Sequence, residues 1–201
     1  CFEDEREGEA TYRQLEALAT SAPAGCDGLL FHPYLFGERS PFYNPEARGA
    51  FLGIRHWHGK EHLVRSIMEG VAFSIANCMD AVQAIAYTKG AQVNVLRTGK
   101  SGGSQLSVWR QIIADALDHA LEVADVEEPG CLGAALLAGV GVDLYEDLES
   151  AIQGTVRVTT RTSPDEARAA LYRDQRSVFN ETYHALEPHL YHRSGQIPDG
   201  R

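Results

Sequence analysis

The 201-residue chain has no closely paired cysteines, no apolar run as long as a membrane span, no basic excess, and no repeated or low-complexity tract. Each absence closes a class. Cys1, Cys26, Cys78 and Cys131 stand far apart without a C-x-x-C pair, a pattern of reduced thiols rather than of a disulfide framework or a zinc site. Cys78 and Cys131 lie among apolar neighbours and read as small core residues. A net charge of −10 argues against a nucleic-acid partner, which would call for a basic face. No stretch reaches the ~18 apolar residues of a membrane span. The opening CFEDEREGEATYRQ is too acidic for a secretory leader, so a cytoplasmic protein without a membrane partner is expected. His56, His58 and His62 cluster in sequence but lack a cysteine or acid set around them, and read as a solvated loop rather than a metal centre.

What is present is ordinary in bulk, with 44% apolar and 23% charged residues, as in a globular domain. The pattern along the chain is more telling. Apolar steps of three and four predict a helix over 9–18 and a long one over 61–86, the latter with Val64, Ile67, Met68, Val71, Ile75, Met79, Val82 and Ile85 as its apolar face. Between them, 28–53 is punctuated by Pro and Gly yet rich in aromatics, so Tyr34, Phe36, Phe42 and Tyr43 are expected to pack. Strands are predicted at 93–96, 121–124 and 155–159, and helices at 107–119, 131–142, 147–153 and 164–186. Gly133, Ala134 and Ala135 would let their helix approach the sheet closely. This alternation predicts an α/β layered domain with helices on both faces.

VLRTGKSGGSQLSVWRQ, residues 95–111, runs from a strand through a glycine turn into a helix. A P-loop would need glycine at the position held by Asn94, which instead lies in the predicted strand. A dinucleotide fold would place Asp125 at the end of the next strand, as required, but Gly99, Gly102 and Gly103 have the wrong spacing. What remains is a Gly-Gly pair ahead of a helix, which allows close backbone approach and an anion at the helix start. A tight turn without ligand explains the same residues.

Four stretches taken together resemble the C-terminal part of the FGGY family of carbohydrate kinases: GLLFHPYLFGERSPFYNPEARGAFLG, GAFLGIRHWHGKEHLVRSIME, SGGSQLSVWRQIIAD and VEEPGCLGAALLAGVGV. In the second, Gly49, Phe51, Gly53 and Ile54 precede a seven-residue spacer, then His62, Leu63, Ser66, Ile67, Met68 and Glu69. The form of GERSPF and SVWRQ is closer to the pentulose and gluconate kinases than to glycerol kinases. The resemblance implies an actin-like ATPase (ribonuclease H-like) C-terminal domain, residues 1–201, truncated on its N-terminal side. It implies ATP with Mg²⁺ and a small sugar or polyol substrate in the complete enzyme. Gly102, Gly103, Ser104 and Ser107 would contact the nucleotide, with Lys100 and Gln105 as lesser contacts. Ser101 and Leu106 depart from the family pattern, which commonly has glycine and often serine there.

The same resemblance places the first phosphate loop, the sugar pocket and the catalytic aspartate in an N-terminal domain that this chain does not contain. No catalytic residue and no metal ligand is therefore assigned here, and the chain alone is expected to be inactive. Glu38 and Arg39 are expected to brace the long loop as an ion pair, and Asp115 to lie on the solvated face of its helix. A homo-oligomer is left open. Two other readings stand beside this one: an actin-like interaction module without catalysis, and a Rossmann-type domain using Asp125.

Overall fold

The computed structural model describes residues 5–191. The chain opens with helix α1, Glu5–Ser21, which stops where Ala22 and Pro23 interrupt the helical backbone. Two short strands, β1 (Leu30–His32) and β2 (Ala50–Leu52), pair antiparallel with Phe31 opposite Phe51. Helix α2, Lys60–Thr88, follows. Strand β3 (Val95–Thr98), helix α3 (Ser107–Leu117) and strand β4 (Ala120–Ala124) form a strand–helix–strand unit at the start of the second sheet. Helices α4 (Pro129–Gly141) and α5 (Leu148–Thr155), strand β5 (Val158–Thr162) and helix α6 (Glu166–Leu186) complete it.

The second sheet has the order β3-β4-β5. β3 and β4 run parallel, Leu96 beside Leu121 and Arg97 beside Glu122, whereas β5 returns antiparallel with Arg161 beside Glu122. Alternation of side chains then separates two faces. Leu96, with Val93, packs against Ala76 and Met79 of α2 and Leu117 of α3. On the other face Arg97 and Arg161 both bind the carboxylate of Glu122, at 2.6 and 2.7 Å. Helices α4 and α5 border a cavity at the strand ends on that side. β5 lies three residues later than the sequence pattern suggested, because α5, capped by Asp147 on the N–H of Ser150, runs on through Thr155.

The main core joins Leu30 and Tyr34 to Phe73 of α2, Ile112 of α3, and Tyr172, Phe179 and Tyr183 of α6. Beneath it lies a buried polar knot. Glu69, 2% exposed, accepts hydrogen bonds from Gly25 N–H, the Cys26 thiol, Arg65 Nε and the Tyr172 hydroxyl. Arg65 in turn donates to the carbonyls of Ala19 and Ala22 at the end of α1 and to Tyr172. Within this knot the carboxylate, the guanidinium and the phenol each gain partners, which offset their lost hydration.

Several expectations are corrected. The apolar face of α2 read from the sequence turns largely outward: Ile67, Ile75, Val82 and Ile85 are exposed, while Arg65, Ser66, Glu69, Ala72, Phe73, Ala76 and Met79 are buried. Asp115 is not solvated but 1% exposed, accepting from Asp165 N–H and Gln111 and pairing with Arg168. Glu38 does not pair with the Arg39 guanidinium; its carboxylate accepts from the backbone N–H groups of Arg39 and Ser40 and from the Ser74 hydroxyl. In the long loop Tyr34 is buried and Phe42 packs on Tyr183, but Phe36 and Tyr43 are exposed. Cys131 is exposed and Cys78 half-buried on the outer side of α2, so neither is a core residue. The close helix contact of α4 lies not at Gly133, which faces open space, but at Gly139, where an added Cβ would stand 2.8 Å from the Tyr145 ring. His58 and His62 are partly spent on the backbone, accepting from the N–H groups of Arg55 and Gly59.

Candidate nucleotide site

At the end of β3 the backbone passes so close to the start of α4 that a Cβ on Gly99 would lie 2.6 Å from the Val126 carbonyl and 2.7 Å from the Pro129 ring. Only glycine fits there. The N–H of Lys100 donates to the same Val126 carbonyl, holding the two strand ends together. The chain then folds into a short 3₁₀ turn, Gly102–Gln105. Gly102 has φ of +57°, a left-handed backbone that glycine adopts freely, and nothing lies within 4 Å of where its side chain would be. Gly103 is different, since a Cβ there would meet the Trp109 ring at 2.9 Å.

The turn holds itself together. The Ser104 hydroxyl donates to the carbonyls of Gly99 and Ser101, and Gln105 donates to Lys100 O. Arg110, one turn into α3, reaches back to the carbonyls of Ser104 and Gln105. Lys100 pairs with Asp125 across the ends of β3 and β4. The hydrogen bond and charge of Asp125 raise the Lys100 ammonium above its ordinary range, and Lys100 lowers the Asp125 carboxyl in return. An Asp125 engaged in this way is not free to hold a ribose, which weighs against the dinucleotide reading.

Beside this turn opens a cavity of about 490 Å³. Its floor is Thr98 and Gly99 at the end of β3 and Ala124 and Val126 at the end of β4; its walls include Leu132 and Gly133 of α4 and Ile152 of α5. Arg97, already tied to Glu122, is its charged residue. The cavity therefore sits at the carboxyl ends of two parallel strands, where open α/β sheets bind ligands. Its volume falls within the ~300–1,000 Å³ of small-molecule sites, and its lining is largely apolar, as such sites are.

The residues proposed from the sequence divide between two places. Gly102, Gly103 and Ser104 share the turn, which begins three residues after the cavity floor at Gly99. Ser107 begins α3 and faces α1 instead: its N–H and hydroxyl both donate to Glu16, which also accepts from Val108 N–H. These hydrogen bonds, the Ser107 hydroxyl foremost, hold the Glu16 carboxyl below the usual range. The anion that the start of α3 attracts is therefore supplied by the chain itself. Leu132 and Ile152 were not singled out from the sequence, and Gly133 only as a packing residue; the position of the two strand ends is the signal that points to them.

The sequence profile described as the FGGY family of carbohydrate kinases, C-terminal domain, matches residues 1–142. The chain belongs to the FGGY family of carbohydrate kinases. It is 34% identical over 183 residues to a gluconokinase from Bacillus subtilis, covering 90% of this chain and 34% of that protein. A xylulose kinase from Klebsiella pneumoniae is 35% identical over 182 residues, covering 90% of this chain and 36% of that protein. Among solved structures, xylulose kinase from Rhodospirillum rubrum superposes with a TM-score of 0.75 at 34% identity, over 92% of this chain and 36% of that one. Gluconate kinase from Lactobacillus acidophilus gives 0.77 at 26% identity, over 89% and 35%. The fold is thus that of the FGGY sugar kinases, an actin-like ATPase fold. The chain spans about a third of the length of these FGGY relatives.

Proposed function

We propose that this chain supplies the adenosine side of the ATP site in an FGGY kinase that phosphorylates a hydroxyl of a small sugar, polyol or aldonate. Gluconate and xylulose, which the names of its relatives carry, are the first substrates to assay. The observation that carries this reading is the apolar cavity at the carboxyl ends of β3 and β4, opening beside the Gly102–Gly103 turn. The cavity fits a purine held through its faces. Gly102, with no atom in the space of its missing side chain, leaves backbone open to the phosphates.

Phosphoryl transfer rests on positioning, charge neutralisation and a base that orients the attacking hydroxyl. In this proposal the chain contributes positioning: Leu132, Gly133 and Ile152 fix the base, and the turn fixes the phosphates. The sugar pocket and the catalytic base would lie in the N-terminal domain that the family resemblance implies, so no turnover is expected of residues 1–201 alone. Mg²⁺ would neutralise phosphate charge in the complete enzyme. Among the described residues no three histidine, cysteine or carboxylate side chains converge as a cation site, so no residue of this chain is assigned to it.

Gly133→Leu is the test. A Cβ there meets open space, so the fold has room for it, and replacing a helical glycine raises stability by roughly 1 kcal/mol. The leucine fills the cavity. Calorimetric titration with ATP and Mg²⁺ is expected to show saturable binding by the wild-type chain, weakened at least ~10-fold in the variant. Binding that ignores Gly133→Leu moves the nucleotide elsewhere, and a folded wild-type chain that binds nothing shows that residues 1–201 do not form the site by themselves.

A further inference from the structure

The carbonyls of the glycine turn are drawn inward. Those of Gly99, Lys100 and Ser101 accept from the side chains of Ser104 and Gln105, and that of Gly103 accepts from the Leu106 N–H. The carbonyls of Ser104 and Gln105 accept from one nitrogen of Arg110, at 2.8 and 2.9 Å. A carbonyl oxygen repels an anion, and a peptide that turns its oxygen inward presents its N–H outward. The last two peptides of the turn take that setting from Arg110.

Three features separate Arg110 from an ordinary residue of a helix face. Its own N–H donates to the Leu106 carbonyl, so its side chain springs from the first turn of α3 and reaches back over five and six residues. Helix α3 does not need this at its start, which Glu16 already closes through the N–H groups of Ser107 and Val108. The Arg110 Nε is buried without a partner, a cost that the bonds to the turn must outweigh. Finally, Arg110 forms no ion pair among the described residues, although its charge acts at longer range on the Glu16 carboxylate, whereas Lys100 is spent on Asp125. An uncancelled cation thus stands directly behind the turn.

We infer that Arg110 is a positioning residue of the nucleotide site: it holds the Ser104 and Gln105 peptides with their oxygens away from the phosphates and supplies positive charge from behind. The inference rests on the ATP reading above and adds to it a residue that acts through the turn rather than by touching the nucleotide. In a chain of net charge −10, a cation fixed at this point also offsets the repulsion that an incoming polyphosphate meets.

The test uses two variants of the 201-residue chain. Arg110→Met keeps an unbranched apolar stem and loses every donor, whereas Arg110→Lys restores the charge and a donor. In calorimetric titration with Mg²⁺, Arg110→Met is expected to bind ATP ~10-fold more weakly and Arg110→Lys to recover part of the loss, while adenosine binds all three chains within about twofold. Equal losses for ATP and adenosine make Arg110 a support of the whole domain, and ATP affinity unchanged in Arg110→Met removes it from the site; either result overturns the inference. Amide hydrogen exchange reads the turn without nucleotide. The Leu106 N–H, which closes the turn on Gly103, should exchange several-fold faster in Arg110→Met and regain protection in Arg110→Lys, with the amides of β4 unchanged. Leu106 exchange indifferent to both variants overturns the inference whatever the nucleotide does. A wild-type chain that binds no nucleotide, while exchange follows Arg110, overturns the ATP reading for these residues and with it the positioning role, leaving Arg110 a brace of the turn.

Discussion

The carboxylate of Glu16 accepts from both the N–H and the hydroxyl of Ser107, at 2.6 and 2.7 Å, so that a residue of α1 closes the start of α3. The bond ties the first helix to the turn that precedes the helix of the second sheet. Replacing Glu16 by alanine leaves the first N–H groups of α3 to water and is expected to cost about 1 kcal/mol, the worth of a helix cap. Because the Glu16 carboxyl is lowered in the folded chain, the contribution is complete above its unfolded range and fades as pH falls through the folded value. Thermal midpoints of wild type and Glu16→Ala should therefore differ near neutrality and converge in acid. A gap that stays constant with pH would show that the carboxylate is not the stabilising group.

Asp115 predicts a larger effect. It is buried and accepts from Asp165 N–H at 2.7 Å, from Gln111 at 2.7 Å and from Arg168, joining α3 to the start of α6. Asp115→Ala strands all three donors, although Arg168 can still reach water, and should cost about 3 kcal/mol. Urea denaturation monitored by tryptophan fluorescence measures it, and a loss no greater than that of a surface ion pair contradicts the hub.

The thiols should separate under alkylation. Burial, reinforced by the adjacent Glu69 carboxylate, pushes the Cys26 thiol far above its ordinary range, and its Sγ donates to Glu69. Cys131 is exposed on α4. Native iodoacetamide treatment mapped by mass spectrometry should label Cys131 early and Cys26 only after unfolding. Equal rates at the two positions would falsify the buried knot.

His32 makes stability depend on mild acid. It is fully buried between Tyr34 and Phe179, with Nε2 against the Phe179 carbonyl and Nδ1 unpartnered. Burial lowers its pKa below the ordinary 6.5, so below that pH the unfolded chain binds more protons and stability declines until the folded value is passed. His32→Gln should lower stability near neutrality yet flatten this slope, as chemical denaturation at a series of pH values will show.

How far the sequence carried these conclusions differs by element. Helix α3 and strand β4 were legible from the spacing of their apolar residues, although the polar residues between them include the buried Asp115 and Glu122. In α2 pattern and burial disagree. The sequence shows where apolar residues recur, but a charged residue with a buried partner reads as a solvated one, and Arg65 finds its partners in Glu69, α1 and Tyr172. Asp115 is hidden by the same logic, since Arg168 lies 53 residues away. Cys131 sits on a helix with scarcely any polar face, where periodicity cannot say which side meets water. In the candidate site the glycine turn was readable, because glycine identity reports backbone conformation directly. The cavity wall was not, as Leu132 and Ile152 come together only through the path of α4 and α5.

That path has a practical use. α4 and α5 pack against each other and form a single excursion between two adjacent antiparallel strands, β4 and β5. At its root the N–H of Asp125 donates to the carbonyl of Arg157, so the chain leaves and re-enters the sheet at one closed point. Replacing 126–156 by a short hairpin turn would splice the strands together there. The resulting minimal scaffold would keep the sheet, the glycine turn and the aromatic core while lacking the pocket, a blank against which any small molecule captured by the intact chain can be scored.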